Sequence, residues 1–591
     1  MASRSGASEE RRAADKAPRR RVTVTEPRLD AARPSRAHFA AIAGLAVAMF
    51  GIRLAAPPNL LEQDQERPAT YVLDAIINGN WLIQRDPWGG VTAKPPVWTW
   101  LSALVTLVQG HVSLFSLYLP GAIAALCTAW LVLAVGSRLF GVHAGFIAAI
   151  ASVLHIAGFK AIGLARTDAV FAFTVALTAL LAFRSWTTGG RWTWFWLAAT
   201  LSTLTKGPLG LVFAACGLLA CVWERASGVP APLRGSHKLG VALFIALTVG
   251  WFVLSVWALG QPVVDRIIMR ELIGNTVGHK TNTPQPWLPS WHFIIRVAPW
   301  SLLTVYGLWR IWKRPDSDPT TRRSERFLFC LFVAGMLILS IAPHQRADLM
   351  LPLVPAAALI AGREAMRLTE GWDKRASRAV LATLVIVIVG AHVIAYFAIN
   401  PGTPYVRQTV AVRELAERFE SLAGPEFPLT HTDDPLGLQV YLNVFRPTVS
   451  LQRAHDLLRG PAAAFVAVND FAALSALRRP GDPPLFTVLE PRLDAGLPTR
   501  IVSNRPTLQV SERMAFAYGG LSVRLEGVRL TSAAERALHA RATREEWSVV
   551  VKNEKAQPRP FRVVVSHRTQ PLHDRRTTID GHESWTVSRN R

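Results

Sequence analysis

Residues 38–101 read HFAAIAGLAVAMFGIRLAAPPNLLEQDQERPATYVLDAIINGNWLIQRDPWGGVTAKPPVWTWL. The apolar run over 38–56 matches the roughly 20 residues that a helix needs to cross a bilayer. It has no evident cleavage site and reads as a first transmembrane helix. A loop over 57–117 follows, dense in charge: Glu62, Asp64, Glu66, Arg67, Asp74, Arg85, Asp86 and Lys94. Arg67 stands three residues after Asp64, which one helical turn would bring to one face. Lys94-Pro95-Pro96 then leads into an amphipathic run over 96–109, too short to span and expected as an interfacial or re-entrant helix.

The rest of the chain repeats the first of these features. Half of the 591 residues are hydrophobic, and Lys and Arg number 65 against 41 Asp and Glu, a formal charge of +24. That apolar content excludes a disordered basic chain. The basic residues do not gather into one patch, as a nucleic-acid site would require, but fall in short clusters between apolar runs. Such runs recur at 118–139, 143–163, 168–186, 191–205, 207–223, 238–259, 291–312, 326–342, 347–362 and 378–399, giving about eleven spans. With the N-terminus inside, the loops WKRPDSDPTTRRSER and REAMRLTEGWDKRASR fall inside and obey the positive-inside rule. The loops 57–117, 156–168, 260–290 and 343–348 then face outward. The expected localisation is the cytoplasmic (inner) membrane, with the N-terminus cytoplasmic and the C-terminus extracytoplasmic. Cys127, Cys216, Cys221 and Cys330 all lie in apolar runs and read as membrane-core residues rather than a disulfide framework.

The expected organisation is a basic tail at 1–37, a transmembrane module at 38–400 with its outer loop 57–117, an α/β domain at 401–504 and a β-rich region at 505–591. The helical period of 406–423 and the strand-like runs LQVYL, PTVSL, AAFVAVN and PLFTVLE carry the α/β reading. LSVRLEGVRL, EWSVVVKN and FRVVVSH carry the β-rich one. The fold class is thus an α-helical integral membrane protein with a C-terminal extracytoplasmic α/β region. No nucleotide-binding motif is present.

The loop pattern DQERPATYVLDAIINGNWLI…AKPPVWTWL resembles the first outer loop of bacterial GT-C glycosyltransferases, the lipid A aminoarabinose transferases and the related protein O-mannosyltransferase superfamily. Further segments resemble them in order: PGAIAALCTAWLVLAVGSRLFG, ARTDAVFAFTVALTALLAF, TLTKGPLGLVFA, QPWLPSWHFIIRVAPWSLL and HQRADLMLPLVPAAALIAG. The likeness covers about 40–365. Gly79-Asn80-Trp81 stands where the family has Gly-Asp-Trp, and Gln65 where it often has a second acid.

The resemblance implies transfer of a sugar from a polyprenyl-phosphate carrier to an extracytoplasmic acceptor (lipid, glycan or protein), with inversion. Asp64 matches the family's first-loop acid and is expected as general base. Lys94 and Arg67 would bind the phosphate, and Arg346, before the Leu-Pro-Leu-x-Pro run, would be a third contact. Asp168 matches a second-loop acid, with a helix N-cap as the structural alternative. Lys206 either snorkels to the interface, pairs with Asp168 or meets phosphate. Glu271 and His279 fall where related enzymes have a Glu/His segment. Ala93 occupies the place of an acid that in some of them serves a divalent cation, so no metal ligand is assigned. No cofactor is required, because the leaving phosphate supplies the driving force. The competing readings are a transporter or flippase of lipid-linked sugars, and a polysaccharide ligase or polymerase with a lipid-diphosphate donor. Transporters place their polar groups near the midplane.

Overall fold

The computed structural model describes residues 33–505 except 190, 227–234, 274–284, 344, 424–427, 462–463 and 492–495; beyond 505 it describes the backbone of seven strands between 513 and 589. Seven helices among these residues are long and apolar enough to cross a membrane. They are Arg36–Ala55, Leu114–Phe140, Asp168–Thr188, Lys238–Leu259, Pro319–Ile341, Ala347–Leu368 and Lys374–Gly402. An eighth crossing is available if the pair Val142–Val153 and Ile156–Ile162, bent by 64°, acts as one. The sequence suggested about eleven. The difference lies in apolar runs that the fold breaks. The run at 191–205 is a 14-residue helix, Thr193–Lys206, stopped by Gly207 at φ 95°. The run at 291–312 divides at Ala298-Pro299 into Leu288–Arg296 and Trp300–Lys313. Proline lacks the N–H that would continue the helical ladder.

Small residues set the packing. A Cβ on Gly136 would lie 2.8 Å from the Cα of Gly145, and one on Gly362 would lie 2.5 Å from the Ala144 carbonyl. Helices Leu114–Phe140, Val142–Val153 and Val354–Leu368 therefore meet backbone to backbone, the contact that drives association where lipid removes the hydrophobic incentive. The most deeply buried cation among the described residues is Arg53. Arg53 is 1% exposed, in the last turn of the first span. It donates to the carbonyls of Pro57 and Gly163, to Tyr118 and to Asn59, and lies 5.2 Å from the Tyr118 and Tyr396 rings. A buried charge persists only when satisfied in this way.

The α/β region contains a four-stranded sheet. Its strands are β1 (Leu429–His431), β2 (Phe465–Val468), β3 (Phe486–Leu489) and β4 (Arg500–Ser503), in the order β1-β2-β4-β3. β1 and β2 are parallel and the other pairs antiparallel. The run LQVYL is not the expected strand but part of helix Leu436–Tyr441. It follows Pro435 and is buried, and a short continuous apolar run fits a buried helix as well as a strand. PTVSL is coil up to Ser450, whose hydroxyl caps helix Leu451–Arg459. Beyond residue 505 the strands form a four-stranded and a three-stranded antiparallel sheet.

The α/β region is fastened to the 57–117 loop. Gly437 N–H donates to Glu66 at 2.8 Å, Thr448 N–H to the Pro87 carbonyl at 2.9 Å, and Val112 N–H to the Asn443 amide oxygen at 2.6 Å. A Cβ at position 437 would lie 2.7 Å from a Glu66 carboxylate oxygen. Gly437→Ala is therefore expected to cost about 1–3 kcal/mol by overpacking, seen as a lowered Tm. Adding Glu66→Ala should recover at least half of that loss; no recovery would show that this contact does not carry the docking.

Candidate active site

Asp64 ends a short 3-10 helix, Glu62–Asp64, just before helix Glu66–Ile77. Its φ is 55°, one of two non-glycine residues with positive φ among those described. Asp tolerates this region better than most residues, but it still costs about 1–3 kcal/mol and such residues cluster at functional sites. The side chain is exposed, and no hydrogen bond or ion pair holds its carboxylate among the described residues. Gln65, beside it, is fully buried. Its amide donates to the carbonyls of Asn59 and Glu62 and accepts from Ala165 N–H at 2.8 Å. Gln65 thus bolts the first loop to the loop that carries Arg166. A carboxylate there could not make the two donor bonds.

The left-handed residue interrupts the helical turn that the sequence suggested between Asp64 and Arg67. Arg67 turns instead to Asp86, 3.4 Å away, and lies 5.0 Å from the Trp88 ring. Asp74 organises the rest of the loop: it accepts from the Asn78 and Asn80 amides and from Arg85 N–H at 2.7–3.0 Å. Asn80 stands where the resembled pattern has an acid. Here it donates to Asp74, which an aspartate could not do. Burial pushes the Asp74 and Asp86 carboxyls above their usual range, against these hydrogen bonds.

Asp168 opens the span Asp168–Thr188. The N-cap is Thr167, which makes no capping hydrogen bond, and Asp168 is 5% exposed. It pairs with Lys206 and, at 3.2 Å, with Arg166. Arg166 reaches Asp348 at 2.8 Å, and Arg346 stands 3.8 Å from that same carboxylate. Lys94 bonds Glu271 at 2.6 Å and lies within electrostatic reach of Lys206. Asp64 lies within the same reach of Arg166. Arg67, Arg266, Asp86 and Glu271 surround buried Tyr71 in like manner, its hydroxyl pushed up mainly by burial. Asp64, Arg67, Lys94, Asp168, Lys206, Glu271 and Arg346 therefore belong to one charged cluster at one end of the bundle. His279 lies outside the described residues. Arg166, Arg266 and Asp348 are members that sequence reasoning did not assign. Arg166 carried a signal in its position two residues before Asp168; Asp348 carried none.

The cations differ in what they can still do. Lys206 and Arg166 are 10% and 15% exposed and committed to carboxylates, whereas Lys94, Arg346 and Arg67 are 39%, 37% and 41% exposed. Among the described residues no three His, Cys, Asp or Glu converge on a metal position.

Comparison with known proteins agrees with this architecture. Residues 93–257 match the family model "Dolichyl-phosphate-mannose-protein mannosyltransferase", a segment that includes Lys94, Asp168 and Lys206 but not Asp64. The fold is similar to that of ArnT from Cupriavidus metallidurans bound to undecaprenyl phosphate, at 16% identity and a TM-score of 0.60, over 79% of this chain and 98% of that one. The apo state of the same enzyme gives 14% identity and a TM-score of 0.57 over the same shares. No curated protein matches in sequence. The fold is that of the GT-C class, as the loop pattern led us to expect. With its apolar helices, it describes a multi-pass membrane protein, and the family match over residues 93–257 agrees with a glycosyltransferase reading.

Two outcomes test the electrostatics. Removing one partner of a buried pair strands the other charge, so Lys206→Met should destabilise by roughly 3–5 kcal/mol. The double variant Lys206→Met/Asp168→Leu should return within about 1 kcal/mol of the parent in a thermal melt. Glu66 supplies a pH dependence. Burial raises its carboxyl to about 7, with help from the charges of Asp434 and Asp64 and against the Gly437 hydrogen bond. The folded protein therefore holds this proton more tightly than the unfolded chain does. The resulting stability is full below pH 4.5 and is lost as pH rises through 7, a change on the order of 3 kcal/mol. Glu66→Gln keeps an acceptor for Gly437 and should flatten the fall in Tm between pH 5 and 8; an unchanged slope would assign it to other groups.

Proposed function

We propose that the chain moves a sugar from a polyprenyl-phosphate carrier to an extracytoplasmic acceptor with inversion, Asp64 acting as general base. The observation that carries this reading is the pairing of opposites at the mouth of the bundle. An exposed carboxylate, held in a strained left-handed turn and left without a partner among the described residues, lies beside a bank of cations. In this scheme the acceptor hydroxyl gives its proton to Asp64 as its oxygen attacks the anomeric carbon. The carbon–oxygen bond to phosphate breaks on the opposite face, and the leaving phosphate takes the electron pair. Lys94 and Arg346, with Arg67 beyond them, are exposed enough to meet that charge. Asp168 is consumed by Lys206 and Arg166, so its role is to position cations rather than to take a proton. Glu271 positions Lys94.

The placement of these groups at helix ends favours this reading over a transporter, whose polar groups gather near the midplane. Loop charge supports an N-terminus on the cytoplasmic side of the inner membrane and an α/β region outside.

A deletion strain whose envelope lipids and glycans are compared by mass spectrometry reports sugar and acceptor together. The wild-type gene should restore the missing modification. Asp64→Asn, inserted at an equal level, should not, because losing a general base costs about 10²–10⁴ in rate. Full restoration by Asp64→Asn would sink the assignment of the base. Lys94→Ala should weaken binding of purified polyprenyl-phosphate sugar; unchanged donor affinity would count against its phosphate role.

A further inference from the structure

Helix Pro319–Ile341 is 23 residues long, about 34 Å at 1.5 Å per residue. One end leads towards Arg346 and Asp348. The other end carries Arg322, Arg323 and Arg326, on the opposite face of the bundle from Asp64. Two groups of charges meet there. In the first, Arg310, Arg363 and Arg367 face Asp316, Glu325 and Glu364, and the signs balance.

The second group does not balance. Arg322, Arg323 and Arg326 converge on a single carboxylate, Glu224, which is fully buried. Arg326 takes it at 2.8 Å, whereas Arg322 and Arg323 stand off at 3.6 and 3.9 Å, beyond hydrogen-bond length. Asp318 accepts from the Thr321 N–H and hydroxyl at 2.8 Å and lies within electrostatic reach of Arg322, which still leaves three guanidinium groups against two carboxylates. Like charges this close, at the edge of a low-dielectric layer, repel strongly unless an anion joins them. The site is open to one, because the Arg322 and Arg323 side chains are 19% and 27% exposed. Aromatic residues mark the depth: Trp223 packs 5.6 Å from Trp312, and Trp312 and Trp309 are 59% and 50% exposed, as expected at headgroup level.

We propose that Arg322 and Arg323 form a binding site for a phosphate group, supplied by the headgroup of an anionic phospholipid. Guanidinium groups suit phosphate because their paired N–H donors match its oxygens. Basic pockets between spans are where such headgroups dock. The site is separate from the donor cluster, so its test does not depend on the reaction proposed above.

The full chain, held in nanodiscs of phosphatidylcholine, of phosphatidylcholine with cardiolipin, or of phosphatidylcholine with added inorganic phosphate, is melted alongside Arg322→Gln/Arg323→Gln. Cardiolipin is expected to raise the wild-type Tm by about 3 °C or more, as any ligand of the folded state does. The double variant should lose most of that shift while melting no lower than wild type in phosphatidylcholine alone. Arg323→Gln by itself should lose part of the shift. A shift reproduced by inorganic phosphate keeps the site and makes its source a soluble anion. Equal shifts in wild type and double variant, no shift in either, or a collapse of the double variant in phosphatidylcholine alone would each overturn the proposal. The last would show that the arginines serve only to hold Glu224.

Discussion

The ion-pair chain Lys206–Asp168–Arg166–Asp348 joins the ends of three separate helical segments, Thr193–Lys206, Asp168–Thr188 and Ala347–Leu353. Charges at the edge of a membrane are costly singly and tolerable only as a paired set. This set therefore determines where those ends lie relative to one another. It also sets the frame for the 57–117 loop. Gln65 is bonded to Ala165, the residue before Arg166, so Asp64 is placed by the same construction that places the cations. A carboxylate that must act on a substrate has to be rigid without being neutralised. Here its neighbour Gln65 supplies the rigidity, and Asp64 itself stays exposed.

A second support comes from the α/β region. Its bonds through Gly437, Thr448 and Asn443 reach the start, middle and end of the 57–117 loop. They leave Glu66, two residues from Asp64, half-buried against Gly437. The loop is thus held between the membrane helices and the α/β region, which explains how a long, charge-rich segment keeps one conformation. Glu66 also makes that grip sensitive to protonation, because a buried carboxyl is stable mainly in its neutral form.

Much of the candidate site was legible from the sequence. Lys94, Asp168 and Lys206 stand out as ionisable residues at the ends of apolar runs, and Asp64, Asp168 and Arg346 through the resemblance to the GT-C loop pattern. What the sequence concealed was pairing. The three-residue spacing of Asp64 and Arg67 implied a shared helical face, but a left-handed backbone at Asp64 broke it, and Arg67 went to Asp86. Arg166 and Asp348 are 182 residues apart, and no local pattern announces such a partner. The eleven apolar runs and the seven long helices among the described residues differ for a related reason. Hydropathy measures the length of an apolar run, whereas Gly207 and Pro299 decide whether that run is one helix.

The sequence by itself determined that this is a helical membrane protein with a charge-rich loop, 57–117, after its first span. Hydrocarbon imposes on each residue separately a price that composition records. Only the tertiary structure decided which charges are spent and which are available. Lys206 and Arg166 are committed to carboxylates, while Lys94, Arg346 and Asp64 keep access to solvent. Electrostatic pairing depends on distances of a few ångströms between residues far apart in the chain, and those distances exist only once the helices have packed.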